Sequence, residues 1–209
     1  MLYINNHINR YTEADIERLM EQLPEWRRSQ AMRFRHFEGR RQSVLAYMEL
    51  CRGLSEEFGI CEAPEFLYDE HGKPTLVAYP HIHFSLSHCR QAVGCLLSSA
   101  PCGLDIETVR PLRESLMRHC MNETEQTQIL SAEEPAVAFT RLWTQKEAVL
   151  KLSGTGLAGG LKDALENLNV RGIALHTEFC LGHSVLLSTA LCGTDSTNLE
   201  CRIRQITEF

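Results

Sequence analysis

The chain has 209 residues, of which 44% are hydrophobic and 23% are charged, so it is long enough to bury one large core or two smaller ones. Its formal net charge of -6 argues against a general nucleic-acid binder, because such proteins carry a basic excess. Residues 1–7 lack the basic and apolar regions of a signal peptide, and no apolar run approaches the roughly 20 residues of a membrane span. We therefore expect a cytoplasmic protein that binds neither nucleic acid nor membrane, with its 9 cysteines reduced and mostly buried.

The first half of the chain is predicted to begin with helices and to continue with strands. Apolar periodicity indicates helices over residues 12–23 and from Pro24 to about Gly59. From Pro64 onward the pattern changes to short β-rich runs between turns that contain Gly and Pro. The predicted strands are 66–68, 81–84, 92–97 and 103–109, in a mostly antiparallel sheet.

The second half repeats this order. Residues 112–154 are predicted to be helical, with Asn122 and Glu125 spaced as a capping box and a long periodic segment over 133–152. Strands are predicted at 170–176, 184–191 and 199–206. The sequence therefore indicates an α+β fold with an N-terminal half over residues 1–101 and a C-terminal half over residues 102–209, packed as one globular unit with a ligand cleft between them.

Two groups of charged residues point to chemistry. On a helix, Trp143, Glu147 and Lys151 lie at i, i+4 and i+8 and share one stripe. Asp105 and Glu107 lie two residues apart in an apolar run, so on a strand both face the same side. Three acids can hold a hard divalent cation, and the lysine remains for a phosphate. Each pair alone also fits an ordinary solvated helix or strand face, but their joint occurrence favours a phosphate-handling site.

Other polar residues leave alternatives open. Lys146 projects toward the apolar face of its helix, where a lysine must either extend to solvent or meet a carboxylate. His88 could donate to a phosphate oxygen or be structural, and His81 with His83 suggests zinc only weakly, since the spacing matches no common zinc module. The glycine-rich segment 154–160 follows a helix, so it predicts a helix stop and a flexible loop and not a P-loop.

Arginines concentrate between residues 27 and 41. Six of them stand there against one acid, Glu38, which makes a local positive field in an acidic protein. Such a segment suits a phosphorylated ligand or an acidic partner.

Four motifs in order carry a resemblance to a known family. Gly-Lys-Pro at 72–74, Phe-Ser-Leu-Ser-His at 84–88, Gly-Leu-Asp-Ile-Glu at 103–107 and the segment 143–151 closely resemble the motifs of the 4'-phosphopantetheinyl transferases. The long, pseudo-dimeric type related to the surfactin-synthetase activator is the most similar. The motifs span residues 72–157, and a looser likeness extends to residues 34–52. The chain departs from the family pattern at Ser85, where the family often has Asn, and in its N-terminal arginines, where the family often has lysines.

The resemblance implies two α+β halves related by a pseudo-twofold axis, with coenzyme A and Mg²⁺ in the cleft between them. It implies transfer of the phosphopantetheine arm of coenzyme A to a serine of an apo acyl or peptidyl carrier protein, with release of adenosine 3',5'-bisphosphate, by an enzyme for which a monomer suffices. The implied metal ligands are Asp105, Glu107 and Glu147, and Lys151 would contact the pyrophosphate and assist the leaving group. The implied contacts to the nucleotide and its phosphates are Lys73, Ser87 and His88, with Ser43, Arg41 and one of Arg27 or Arg28 at the 3'-phosphate.

Three questions stay open at this level. Glu147 could be the base for the attacking hydroxyl directly or through a metal-bound water. The same acids would support a Mg²⁺-dependent hydrolase of coenzyme A or a related dinucleotide. A non-catalytic module that binds coenzyme A or a carrier protein would keep the fold without turnover.

Overall fold

The computed structural model describes residues 1–156, 160–193 and 201–203, and it has an α+β fold. The helices are α1 (Glu13–Glu21), α2 (Glu25–Met32), α3 (Phe37–Phe58), α4 (Glu114–Cys120), α5 (Glu123–Ser131) and α6 (Pro135–Ser153), with short 3-10 turns at Ile8–Arg10 and Leu161–Asp163. The strands are β1 (Leu2–Asn5), β2 (Phe66–Tyr68), β3 (Pro74–Leu76), β4 (His83–His88), β5 (Val93–Ser98), β6 (Cys102–Thr108), β7 (Ile173–Phe179), β8 (Val185–Cys192) and β9 (Cys201–Ile203).

The strands form two sheets and one hairpin. The first sheet has the order β4-β5-β1-β9, in which only the β1–β9 pair is parallel, so a strand near the end of the chain lies beside the first one. The second sheet has the order β6-β8-β7 and is antiparallel throughout. The antiparallel hairpin of β2 and β3 is a separate unit of pairing, and its Leu76 packs in the same core cluster as Phe84 and Cys95 of the first sheet. The prediction of mostly antiparallel pairing is therefore confirmed, but the four strands predicted in the first half of the chain do not share one sheet: residues 66–68 lie in the hairpin, and the strand predicted at 103–109 is β6 of the second sheet.

One helix covers each sheet, and the two sheets share a core. α3 packs Leu50 and Leu54 against the first sheet, and α6 packs Ala148 and Val149 against the second. Buried aliphatic side chains of β1, β5, β6 and β8 meet in a single cluster, which contains Leu2, Ile4, Leu96, Leu104, Ile106, Val185 and Leu187. Because this cluster joins both sheets, the ends of β4 and β6 are held side by side.

The structure corrects two further sequence predictions. The single helix predicted from Pro24 to Gly59 is two helices, interrupted at residues 33–36. All four residues of the interruption are exposed, so a continuous helix would gain little burial there, and helices depend on such burial for stability. The strand β1 was not predicted, because an apolar run of three residues at a chain end gives almost no periodic signal.

Other predictions are confirmed. Asn122 and Glu125 form the expected capping box, with the Asn122 side chain accepting from the Glu125 N–H and the Glu125 carboxylate accepting from the Asn122 N–H, both at 2.9 Å. Gly154, at φ 72°, ends α6 in the left-handed conformation, as the predicted helix stop requires. The rest of that predicted loop lies partly outside the described residues, as do the outer parts of the strand predicted at 199–206. Among the described residues, no helix is both long and apolar enough to cross a membrane.

Candidate functional site

The site is built where α6 crosses β6. An added Cβ at Gly103 would lie only 1.9 Å from the Ala148 carbonyl oxygen, so the absence of a side chain at this position lets the helix backbone approach the strand. Leu104 and Ile106 of β6 point into the core, and the alternation of the strand turns Asp105 and Glu107 to the other face. The close crossing therefore brings the C-terminal part of α6 onto this acidic face.

Asp105 is the centre of a hydrogen-bonded cluster. The Lys151 ammonium lies 2.6 Å from Asp105 Oδ1 and 3.1 Å from Ser87 Oγ, and the Ser87 hydroxyl donates to the same carboxylate oxygen at 3.1 Å. Asp105 and Ser87 are buried, whereas the Lys151 side chain is 33% exposed. The three members of the cluster thus come from β6 of the second sheet, from α6 and from β4 of the first sheet.

The serines of β4 also join the two sheets. Ser85 Oγ accepts a hydrogen bond from the Leu104 N–H at 3.0 Å, and Ser87 Oγ accepts one from the Ile106 N–H at 3.1 Å. These side chains satisfy backbone donors at the edge of β6, where no strand of the first sheet is paired with it. Ser85 thus accepts a backbone donor of β6, and it also lies in the lining of the cavity described below.

The carboxylates around Asp105 carry perturbed pKa values. Burial, followed by the negative charge of Asp105, raises the pKa of Glu107 to about 7. The same two causes raise the pKa of Glu147, in the same order. Asp105 Oδ2 is buried and has no hydrogen-bond partner within the described part of the chain. The negative charge of Asp105 thus acts on both glutamates, and one oxygen of Asp105 itself is unsatisfied.

This donor set fits a hard divalent cation in its chemistry. Carboxylate oxygens are the preferred ligands of Mg²⁺, and a cation would relieve both the repulsion and the unsatisfied Asp105 oxygen. In the structure, however, the ammonium of Lys151 is the cation beside Asp105. The described residues contain no group of three His, Cys, Asp or Glu side chains already arranged to hold a metal ion.

A cavity of about 320 Å³, the Lys151 cavity, opens in front of the cluster. Glu147 and Lys151 line it from α6, and Gly72 and Lys73 line it from the β2–β3 hairpin. The Lys73 ammonium donates to the Leu152 carbonyl at 2.7 Å, which ties the hairpin to the end of α6, and burial lowers the pKa of this lysine. Lys73 therefore shapes the cavity wall and joins the hairpin to α6 at this point.

A second cavity of about 460 Å³, the aromatic cavity, shares Pro74 and Leu86 with the first. It is lined by the aromatic residues Phe34, Tyr47, Phe66 and Tyr68, and by the polar residues Arg27, Ser43 and His88. Burial and the nearby Lys151 charge lower the pKa of His88, although part of the residue is open to solvent. Aromatic faces beside cationic groups suit a nucleotide, since they offer stacking and phosphate contacts together.

The N-terminal arginines are not grouped as the sequence suggested. Arg27 is buried and donates to Ser43 Oγ at 2.8 Å, so it reaches the aromatic cavity. Arg28 donates to backbone carbonyls at the end of α1, and Arg41 is buried with a hydrogen bond to Asn9 Oδ1 at 2.7 Å. Neither lines the Lys151 cavity or the aromatic cavity. Arg27 and Arg28 were the two candidates for one contact to the 3'-phosphate, and of these the structure brings Arg27 to the aromatic cavity.

Lys146, next to Glu147 in sequence, has a different role. Its side chain is fully buried and meets Glu125 Oε1 at 2.8 Å, so of the two alternatives left open by the sequence it is the contact with a carboxylate that occurs. Its ammonium also donates to the Leu161 and Lys162 carbonyls at 2.9 and 2.8 Å. Lys146 anchors α6 to α5 and to the segment after α6.

An α+β protein with acids and a lysine converging beside a cavity suited to a nucleotide has the layout of a phosphoryl-transfer enzyme. Residues 101–189 match the model of the 4'-phosphopantetheinyl transferase superfamily. The chain is 31% identical over 162 residues to the 4'-phosphopantetheinyl transferase psf-1 of Bacillus pumilus, covering 76% of this chain and 70% of that protein. It is 30% identical over 146 residues to a 4'-phosphopantetheinyl transferase of Bacillus subtilis, with 68% and 65% covered.

The match to AcpT of Salmonella typhimurium is 37% identical over 101 residues and covers 44% of this chain and 50% of that protein. The matches to the two Bacillus relatives thus span about two thirds of the relatives' length. The chain belongs to the 4'-phosphopantetheinyl transferase family and is a transferase of that type.

Proposed function

We propose that the protein transfers the 4'-phosphopantetheine arm of coenzyme A to a serine of an apo acyl or peptidyl carrier protein, with Mg²⁺ as cofactor. The observation that carries the proposal is the convergence of Asp105, Ser87 and Lys151 beside a cavity that Glu147 also lines. The names of the relatives supply the substrate class.

The donor would occupy two joined cavities. The aromatic cavity suits the adenine ring, and Arg27, Ser43 and His88 suit the 3'-phosphate there. The diphosphate would then lie in the Lys151 cavity, where Lys73 and Lys151 provide positive charge. Arg41, which is buried and bonded to Asn9, would act by holding α3 in place and not by direct contact.

Asp105, Glu107 and Glu147 would hold Mg²⁺, which neutralises negative charge on the diphosphate oxygens when it is bound. Lys151, released from Asp105, would then turn its ammonium toward the diphosphate. The lysine can turn because its side chain is 33% exposed, but Asp105 is buried, so the bound cation would have to replace the ammonium as the group that compensates the Asp105 charge.

The reaction requires one proton transfer and one displacement. The serine oxygen attacks the phosphorus that carries the pantetheine arm, the bond from that phosphorus to the bridging oxygen breaks, and adenosine 3',5'-bisphosphate leaves. Glu147 would accept the serine proton, directly or through water. Lys151 would stabilise the charge that develops on the leaving oxygen.

The test is incubation of the whole protein with coenzyme A, Mg²⁺ and each of several apo carrier proteins, followed by intact mass measurement of the carrier. We expect a gain of one phosphopantetheine group, lost in Glu147→Gln and retained in the exposed control Glu133→Gln. Phosphopantetheine released into water without a carrier would instead identify a hydrolase. Coenzyme A binding without either product would identify a binding module.

A further inference from the structure

A third cavity lies beyond His88 and is not used by the donor. It has a volume of about 470 Å³ and is strongly polar, and we call it the Arg90 cavity. Its charged and polar lining includes Glu38, Gln42, His88, Arg90, Glu107 and Arg110. It shares His88 with the aromatic cavity and has no residue in common with the Lys151 cavity.

Two of the proposed metal ligands line different cavities. Glu147 lines the Lys151 cavity, whereas Glu107 lines the Arg90 cavity. Asp105 lies between them, because Glu107 is two residues further along β6, a step of about 7 Å in an extended strand. The acidic centre is therefore reached from two directions.

An in-line displacement uses two directions. The attacking oxygen and the leaving oxygen must lie on opposite sides of the phosphorus. A donor that fills the Lys151 cavity and the aromatic cavity leaves the Arg90 cavity as the open approach to the acidic centre. The acceptor hydroxyl would therefore arrive through the Arg90 cavity.

The charges at this entrance indicate the kind of partner. Arg90 follows β4 and Arg110 follows β6, and both residues are exposed. Within the described residues, neither forms an ion pair or hydrogen bond, although the Arg110 charge acts on Glu107. Glu38 is the opposing charge at the rim. In a protein of net charge -6, two exposed guanidinium groups beside the proposed reaction centre favour an acidic partner surface.

The arginines between residues 27 and 41 are a weaker candidate for partner binding than Arg90 and Arg110. Arg27 and Arg41 are buried and internally bonded, and Arg28 and Arg40 are engaged with backbone or with Glu13. Four of these six arginines are thus held by contacts within α1, α2, α3 and the turn before them, whereas Arg33 lines the aromatic cavity assigned to the donor and Arg35 is exposed.

We propose that the acceptor carrier protein docks at the Arg90 cavity, with Arg90 and Arg110 pairing with acidic side chains that flank its acceptor serine. This docking proposal rests on the proposed transferase function. It identifies two residues that position the partner and take no part in the chemistry.

Steady-state kinetics with the whole enzyme, Mg²⁺, coenzyme A and an acidic apo acyl carrier protein test this proposal. We expect Arg90→Gln to raise the KM for the carrier about fivefold, and Arg90→Gln with Arg110→Gln to raise it by about tenfold or more, as for exposed charges at an interface. The KM for coenzyme A should stay within about twofold, since these residues lie outside the donor cavities. Arg18→Gln removes an arginine that is 72% exposed and distant in sequence, and should change neither constant.

A charge exchange separates direct pairing from general electrostatics. Arg90→Glu should be partly rescued by a carrier in which an acid beside the serine is changed to lysine, while that carrier should be a poorer substrate for the wild type. A carrier KM within about twofold of wild type in the double variant at low salt would overturn the docking proposal, as would an equal rise in both KM values. If the wild type modifies no carrier, the transferase function itself fails, and the docking proposal fails with it.

Discussion

Lys146→Met tests whether the buried lysine holds the catalytic helix in place. Methionine has nearly the same length as lysine but cannot donate hydrogen bonds. The substitution would leave the Glu125 carboxylate and the carbonyls of Leu161 and Lys162 without their present donor. Each of these acceptors lies within 2.9 Å of the Lys146 ammonium, so all three would lose a partner.

The expected loss in the free energy of unfolding depends on Glu125, the charged partner that remains. Removing one member of a buried ion pair costs about 3–5 kcal/mol, because the other charge stays buried. Glu125 keeps its bond from the Asn122 N–H and is 10% exposed, so the loss lies near the lower limit, about 3 kcal/mol. For a chain of this length, that loss corresponds to a decrease of roughly 6–12 °C in Tm.

Urea unfolding of the wild type and Lys146→Met measures this loss, with Lys162→Met as the control. Lys162 is exposed, so its substitution should change the free energy of unfolding by less than about 0.5 kcal/mol. Adding Glu125→Gln to Lys146→Met should recover part of the loss, because glutamine keeps the capping acceptor without a buried charge. A loss below about 1 kcal/mol in Lys146→Met would refute the view that this ion pair anchors α6.

Three further predictions concern the site. Glu147→Gln should abolish transfer while leaving the Tm within a few degrees of wild type, and wild-type rates in this variant would contradict its assigned role. Gly103→Ala should lower both the Tm and transfer, since the added Cβ would lie 1.9 Å from the Ala148 carbonyl oxygen, and overpacking of this kind costs about 1–3 kcal/mol or more. For Glu107, whose pKa is raised to about 7, the folded metal-free protein favours the protonated carboxyl. The contribution of this tighter proton binding to the stability of the folded protein is therefore complete below the unfolded pKa of 4.5, and it is lost as the pH rises through the folded pKa of about 7. Relative to Glu107→Gln, the metal-free wild type should lose about 2 kcal/mol between pH 5 and 8, after allowance for partial solvent screening, and added Mg²⁺ should stabilise it more strongly at pH 8 than at pH 5. Equal Mg²⁺ stabilisation at both pH values would contradict the assignment of Glu107 as a ligand.

Local features of the fold were predictable from sequence, because each depends on residues close along the chain. The capping box of Asn122 and Glu125 requires only a spacing of three, and the stop at Gly154 requires only a residue that tolerates positive φ. The break between α2 and α3 was missed because Phe34 extends the apolar pattern across residues that are in fact exposed. The placement of β9 beside β1 depends on contacts between the two ends of the chain, which no local pattern contains.

The candidate site was likewise predictable from sequence only in its local features. The spacing of Asp105 and Glu107 predicts a common strand face, and the apolar stripe of α6 predicts that Lys146 turns inward. The partner of Lys146 was not predictable, since Glu125 belongs to another helix and the contact depends on how α5 and α6 pack. Arg90 and Arg110 gave no sequence signal, because isolated arginines in turns are common on protein surfaces.

The position of Lys151 illustrates how packing changes the meaning of a sequence pattern. On an isolated helix, its neighbour one turn back is Glu147, and the two form an ordinary i,i+4 pair. In the fold, the bare backbone at Gly103 lets β6 pass so close to α6 that the ammonium meets Asp105 instead, at 2.6 Å. The strand thereby takes the lysine away from Glu147, whose carboxylate keeps a raised pKa and remains open to the cavity. A single glycine in the strand therefore separates the two charges of the helix, so that Lys151 is held by Asp105 and Glu147 lines the cavity.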